Sequence, residues 1–85
     1  MIEFKYTITD ELGIHARPAG HIVKLVSGYQ SKITIIKDGK IADAGRILAL
    51  MGLGITKGTC ITVTVEGSDE DEGAKALEDF LKTNL

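Results

Sequence analysis

The sequence has 85 residues, of which 44% are hydrophobic and 26% charged, a composition typical of an ordinary globular domain. Ten Lys and Arg against twelve Asp and Glu give a formal net charge of -2, which favours neither nucleic acid nor an anionic membrane as a partner. A chain of this length buries only roughly 60% of its unfolded surface and has no room for a deep substrate pocket. We therefore expect a single domain, residues 1–85, whose chemistry takes place at its surface.

Cysteine content and the N-terminus indicate the compartment. The single cysteine, Cys60, cannot form an internal disulfide, and no group of His, Cys and carboxylates has zinc-like spacing. The N-terminus lacks the uninterrupted apolar run of a signal peptide, and no segment reaches the roughly 20 apolar residues needed to cross a bilayer. We expect a cytoplasmic protein with no metal, no cofactor and no membrane insertion.

The first two predicted elements are a strand and a helix. In the strand, every second residue is apolar, at Ile2, Phe4, Tyr6 and Ile8. In the helix, apolar residues recur with a spacing of three and four, at Ala19, Ile22, Val23 and Val26. Pro18 suits the first helical turn, where its missing N–H has no intrahelical partner to lose, so the helix begins near His15 or Ala16.

Five further elements follow. Residues 32–37 and 40–43 predict a hairpin, because Asp38-Gly39 between them favours a tight turn. The apolar segment 46–54 predicts a short second helix whose residues Leu50 and Leu53 fill the core. Alternation over residues 61–66 predicts a fourth strand. An apolar stripe over residues 74–81 predicts the last helix, and Ser68 with Asp71 resembles a capping box at its start.

This order, β-α-β-β-α-β-α, defines the expected fold class. Two longer helices on one face of a four-stranded antiparallel sheet would bury every apolar stripe and leave the threonine-rich face in water. We predict an α+β open-faced sandwich.

One short segment has the composition of a reactive site. His15 falls at the start of the first helix, where free backbone N–H groups and the positive end of the helix dipole favour an anion and a neutral imidazole. Arg17 could add a charge-assisted fork to phosphoryl oxygens, beside the N–H groups of Ala16 and Arg17. A neutral imidazole can act as a nucleophile. A histidine that only caps the helix or is merely solvated is the alternative.

The segment Gly13-Ile14-His15-Ala16-Arg17-Pro18-Ala19 resembles the active-site signature of the HPr family, the histidine-containing phosphocarriers of bacterial sugar phosphotransferase systems. The resemblance covers the whole chain. Residues 47–55 with Lys57-Gly58 resemble the family's second-helix segment, and residues 66–70 resemble the start of its last helix.

The resemblance implies that enzyme I, charged from phosphoenolpyruvate, phosphorylates His15, and that His15 passes the phosphoryl group to an enzyme IIA domain. Arg17 would stabilise the phosphoryl group. The protein would be a carrier, not an enzyme, and we expect a monomer that binds no nucleic acid. Both partners would dock around the first two helices, on the outward residues Gly20, His21, Lys24, Ile47, Leu48 and Met51.

Two residues qualify this expectation. Arg46 stands where many Gram-positive members carry a regulatory serine, so we expect no regulatory phosphorylation there. His21 lies roughly 120° from His15 on an ideal helix, so the two histidines should not form a metal pair. Three alternatives remain: a carrier in a nitrogen-related or dihydroxyacetone-type chain, a regulatory paralogue that only binds, and an RNA-binding domain, which the acidic balance disfavours.

Overall fold

The computed structural model describes all of residues 1–85 and has the predicted order of elements. The elements are β1 (Ile2–Thr7), α1 (Ala16–Val26), β2 (Lys32–Lys37), β3 (Lys40–Asp43), α2 (Ile47–Gly52), β4 (Cys60–Glu66) and α3 (Glu70–Asn84). None of the three helices has the length and apolar character that crossing a membrane would require.

The four strands form one antiparallel sheet in the order β1-β4-β2-β3. Val63 at the centre of β4 pairs with Phe4 of β1 on one side and with Ile35 of β2 on the other. The alternation of β4 buries Val63 completely, whereas Thr62 and Thr64 on its other face stay partly exposed. One face of the sheet therefore belongs to the core and the other faces solvent, which confirms the predicted open-faced sandwich.

The helices supply the second half of the core. The fully buried side chains of the helices are Ala19 and Ile22 of α1, Leu50 of α2, and Leu77 and Leu81 of α3. These are the apolar positions that helical spacing predicted. Because each helix commits one side to the sheet, its opposite side remains available to solvent or to a partner.

The turn chemistry of the hairpin is also as predicted. Asp38 and Gly39 both have positive φ, 49° and 80°, which is the backbone of a tight turn whose twist matches paired strands. Lys37 at the end of β2 donates from Nζ to the carbonyl oxygens of Leu53 and Gly54 at 3.1 and 3.0 Å. A lysine charge thereby satisfies carbonyl groups at the C-terminal end of α2.

The predicted capping box at α3 is wrong. The residue before the helix is Asp69, not Ser68, and its side chain makes no capping hydrogen bond. The carboxylate that bonds back across the helix start is that of Glu70, not Asp71, and it accepts the N–H of Gly67 at 3.2 Å. The Asp69 carboxylate accepts hydrogen bonds from the backbone N–H groups of Gln30 and Ser31, at 2.8 and 2.9 Å, and from Ser31 Oγ at 2.5 Å. Asp69 consequently ties the start of α3 to the segment before β2.

This contact predicts a pH dependence of stability. The hydrogen bond from Ser31, followed by those from the backbone, holds the pKa of Asp69 below its ordinary value. A carboxyl group whose pKa is lower in the folded chain stabilises the fold above its unfolded pKa, about 3.9, and loses that contribution as pH falls through the folded value. We expect Asp69→Asn to lower the melting temperature at neutral pH, and the difference from wild type to shrink as pH falls below about 4.

Thermal unfolding followed by circular dichroism at several pH values measures this difference. Asp71→Asn is the matched control, because it removes a negative charge from the first turn of the same helix and Asp71 accepts no long-range hydrogen bond. Equal pH profiles for the two variants would contradict the role of Asp69.

Candidate functional site

His15 is the residue immediately before α1, and its ring does not cap the helix. Its backbone is extended, with φ -100° and ψ -169°, and its carbonyl oxygen accepts the N–H of Ala19 at 3.0 Å. No hydrogen bond joins its side chain to the helix backbone, and the residue is half-buried. Of the two simple alternatives to a reactive role, capping is therefore wrong.

The first turn of α1 leaves two backbone donors free. Pro18 has no N–H, and the N–H of Ala19 is bonded to His15. The N–H groups of Ala16 and Arg17 have no backbone acceptor, as helix geometry requires of the first residues. The two donors lie within two residues of His15, at the helix end that attracts negative charge.

A glycine in the preceding loop determines where His15 sits. Gly13 has φ +67°, and a Cβ added there would lie 2.2 Å from the carbonyl oxygen of Ile55. The same carbonyl oxygen accepts the N–H of Ile14 at 3.1 Å, and the side chain of Ile14 is buried. The loop before α1 is thus anchored against the segment that follows α2, which fixes the direction in which α1 begins.

His15 lines a surface cavity of about 350 Å³. The walls are Asp10, His15, Arg17, Pro18, His21, Phe80, Asn84 and Leu85. The β1–α1 loop, α1 and the end of α3 all contribute to them. The size and the mixed lining suit a small polar group, and they do not suit an enclosed organic substrate.

The charges at the cavity favour an anion. Arg17 is exposed and forms no ion pair with any carboxylate of the chain. The Asp10 carboxylate accepts the N–H of Leu12 at 3.0 Å, so part of its hydrogen-bonding capacity is already used. An unpaired guanidinium beside two free N–H groups can bind phosphoryl oxygens through charge-assisted hydrogen bonds. No group of His, Cys, Asp and Glu in the structure could hold a metal ion.

The outward sides of α1 and α2 carry the residues predicted for docking, and with Arg17 we call them the helical face: Arg17, Gly20, His21, Lys24, Ile47, Leu48 and Met51. A Cβ at Gly20 would lie 3.9 Å from Cδ1 of Ile47, so the two helices meet at this glycine. Leu48 is 81% exposed and Met51 41%, whereas Leu50 is fully buried. The structure thus joins the two helices that carry the six predicted residues at Gly20 and Ile47.

Arg46 is the residue before α2, with an extended backbone and no side-chain hydrogen bond to the helix. A serine at this position could cap the helix with its hydroxyl oxygen, and a guanidinium has no acceptor with which to do so. The position lies at the positive end of a helix, where a cation is unfavourable. Arg46 therefore adds a charge beside the helical face without stabilising α2.

Sequence reasoning missed five residues near His15. Leu12 is 69% exposed in the loop before α1, and an apolar residue outside any alternating pattern was the signal that could have identified it. Asp10, Phe80, Asn84 and Leu85 line the cavity with His15. The last three carried no signal, because they are distant in sequence and only the packing of α3 brings them to the site.

The expected separation of the two histidines does not describe the site. An ideal helix places His21 roughly 120° from His15, yet both rings line the same cavity. The reason is that His15 precedes the helix with an extended backbone, so its side-chain direction does not follow helical geometry.

Comparisons with known proteins give the class of this fold and site. A family model described as "PTS HPr component phosphorylation site" matches residues 2–83. The phosphocarrier protein HPr of Lysinibacillus sphaericus is 40% identical over 77 residues, which cover 91% of this chain and 88% of that protein.

Two crystal structures support the same assignment. HPr from Thermoanaerobacter tengcongensis superposes with a TM-score of 0.93 at 37% identity, covering 98% of this chain and 93% of the other. A phosphocarrier protein HPr from Bacillus anthracis gives 0.88 at 35% identity, covering 94% and 95%. The open-faced sandwich with a histidine at the start of its first helix is that of a histidine phosphocarrier. The chain belongs to the HPr family of the phosphotransferase system.

The anchoring role of Gly13 is testable. Gly13→Ala should destabilise the fold by the strain of a side chain at positive φ, about 1–2 kcal/mol, plus about 1–3 kcal/mol for the clash with Ile55. Gly58→Ala is the matched control, since Gly58 has φ +88° and open space around an added Cβ. It should cost the strain alone. Urea unfolding of both variants measures the difference, and equal losses of stability would show that the Ile55 contact is unimportant.

Proposed function

We propose that the protein is a phosphocarrier that receives a phosphoryl group on His15 from enzyme I, in a reaction driven by phosphoenolpyruvate, and passes it to an enzyme IIA domain of a sugar phosphotransferase system. The observation that carries this proposal is the uncapped ring of His15, which opens into the cavity beside Arg17 and the two free N–H groups. Membership of the HPr family supports it.

The proposed chemistry is an in-line transfer of the phosphoryl group. A ring nitrogen of neutral His15, Nδ1 by family resemblance, attacks phosphorus, and the new P–N bond forms as the bond between phosphorus and the donor group of enzyme I breaks. Arg17 and the N–H groups of Ala16 and Arg17 bind the phosphoryl oxygens as charge shifts during the transfer. The second transfer is the same reaction in reverse, with enzyme IIA as acceptor.

The exposure of the site suits a relay. His15 is only half-buried, and the carrier must present it to two active sites in turn. A deeply enclosed phosphohistidine could reach neither partner. Because the groups that bind the phosphoryl oxygens lie at the surface, they stabilise the P–N adduct only modestly, which keeps the transfer reversible.

The helical face is the proposed docking surface for both partners. Leu48 and Met51 offer exposed apolar area on α2, which meets α1 at Gly20, and Met is suited to packing against more than one partner. Arg17 and Lys24 add positive charge to this face in an acidic protein, so we expect acidic partner surfaces and fast association.

The remaining assignments follow from this role. Residues 1–85 act as one carrier domain, which is a substrate of two enzymes and not itself an enzyme. A monomer suffices, because one chain supplies every residue of the site. We place the protein in the cytoplasm, where enzyme I and enzyme IIA domains work, and we propose no cofactor.

Arg46 supports a second candidate, a carrier for a specialised phosphotransfer chain. The position has no hydroxyl group, and its neighbours Gly45 and Ile47 have none either, so phosphorylation cannot regulate docking there. A guanidinium also favours an acidic partner, which phosphoserine would repel. Transfer to enzyme IIA domains of different branches distinguishes the two candidates.

The first test is phosphorylation itself. Incubation with phosphoenolpyruvate and catalytic enzyme I of the same organism should add one acid-labile phosphoryl group, seen as a mass increase that acid removes. His15→Ala should gain none. His21→Gln leaves His15 as the single histidine and should still accept one group. A mass increase that persists in His15→Ala, or none in the wild type, would contradict the proposal.

The second test concerns docking. Leu48→Ser should raise KM for enzyme I by roughly tenfold, since an exposed apolar contact at the centre of an interface contributes about 1–2 kcal/mol. Its stability should change little, because Leu48 is 81% exposed. Ile41→Ser is the matched control: Ile41 is 68% exposed but belongs to β3, at the edge of the sheet. Steady-state transfer kinetics measure both, and equal KM values would exclude α2 from the interface.

A further inference from the structure

His21, the second histidine of the chain, lies at the His15 cavity, and its predicted role in docking does not require that position. The His21 ring lines the same cavity as His15 and Arg17. It packs edge-on against Phe80 of α3, with ring centroids 6.2 Å apart and an interplanar angle of 82°. Such an edge-to-face contact restricts the orientation of an otherwise exposed imidazole. His21 is therefore held at the wall of the cavity.

His21 lies one helical turn after Arg17, at the i+4 position, so the two side chains are neighbours on one face of α1. The other titratable groups of the cavity are His15 and Asp10. The Asp10 carboxylate accepts the N–H of Leu12, and the backbone oxygen of Leu85 accepts the N–H groups of Thr9 and Asp10. Asp10 is thus already engaged with a backbone donor.

Other elements bring no additional cation to this cavity. α3 contributes Phe80 and Asn84, and the Asn84 amide donates to the carbonyl oxygen of Phe80 at 3.1 Å. Lys24 lies three residues after His21 on α1 but is not part of the cavity wall. Arg17 is the single permanent cation on the wall.

We propose that His21 is a second phosphoryl-stabilising residue: its protonated ring faces the phosphoryl group on His15, so that loading of the carrier and protonation of His21 favour each other. This inference rests on the proposed phosphorylation of His15. A phosphoryl group carries close to two negative charges near neutral pH, and Arg17 balances one of them. Histidine is the side chain that can supply the second charge reversibly between pH 5 and 8.

The coupling is reciprocal by thermodynamic linkage. If the phosphoryl group raises the affinity of His21 for a proton, then protonation of His21 raises the stability of the phosphorylated form by the same factor. Charges about 6 Å apart at an aqueous surface give a change of roughly threefold per unit charge, or about half a pH unit in the titration midpoint. A protonated His21 would therefore favour the phosphorylated carrier over the same carrier with a neutral His21.

Nuclear magnetic resonance titration of the His21 ring tests the proposal on the whole protein. The probe is phosphoramidate, which phosphorylates histidine chemically with loss of ammonia and requires no enzyme I. The His21 midpoint should move upward by about half a pH unit or more when His15 is phosphorylated. Beyond the titration of the phosphoryl group itself, the 31P resonance of phosphorylated His15 should show a further inflection at the pH of the His21 midpoint, and His21→Gln should abolish that further inflection.

Lys24→Gln is the matched control, since it removes a positive charge from the same helix outside the cavity wall. It should leave both the midpoint shift and the further 31P inflection in place. A His21 midpoint that does not move on phosphorylation, or a further inflection that survives in His21→Gln, would overturn the role of His21. A role of His21 in packing alone would move neither signal.

Different results would contradict the proposed relay and the proposed role of His21. If enzyme I loads His15 and the His21 midpoint stays fixed, the relay stands and the role of His21 is wrong. If only phosphoramidate loads His15 and the midpoint moves, the charge coupling stands and the relay with that enzyme I is wrong. A His15 that neither enzyme I nor phosphoramidate phosphorylates overturns both.

Discussion

The site depends on a backbone contact in which no side chain takes part. The carbonyl oxygen of Ile55 accepts the N–H of Ile14 and lies where a side chain at residue 13 would have to be. Only glycine allows the loop to approach this closely. Through that contact the start of α1, the free N–H groups beside His15 and the segment after α2 are held in one arrangement. The helical face and the cavity both follow from it.

The one-sided core explains why a small domain can keep so much functional surface. Burial of one sheet face needs one side of each helix, and α2 contributes little more than Leu50 to it. The outward sides of the helices are then free for recognition. The short α2 is held at its end by Lys37, which binds the carbonyl groups of Leu53 and Gly54. A long-range polar contact thus compensates for a helix too short to be stable alone.

The affinity of the site for an anion depends on which positive groups lie at the cavity, and not on the net charge of the chain. The chain is slightly acidic overall, yet Arg17, the free N–H groups of α1 and the imidazole of His21 meet at one cavity. Arg46 adds a further cation next to α2, at a helix end where it is not stabilising. Its side chain forms no capping hydrogen bond and no ion pair within the chain.

Local sequence patterns were sufficient to predict the elements, the fold class and the segment that carries the candidate histidine. Alternation identified the strands, helical spacing identified the buried side of each helix, and Asp38-Gly39 identified the turn. The motif from Gly13 to Ala19 identified His15 and Arg17 as candidates, because helix ends have known free donors. These features depend on neighbours within a few residues, which a sequence displays directly.

Only the tertiary structure decided the contacts between distant segments. Asp69 at the start of α3 binds Gln30 and Ser31, which packing brings to it, and the cap predicted at Ser68 does not form. Phe80 and Asn84 reach the cavity through the packing of α3, and His21 joins His15 because His15 lies outside the helical geometry. The sequence by itself therefore determined the elements and identified the candidate histidine. Three-dimensional packing decided what surrounds that histidine, because such proximity depends on how distant segments fold together.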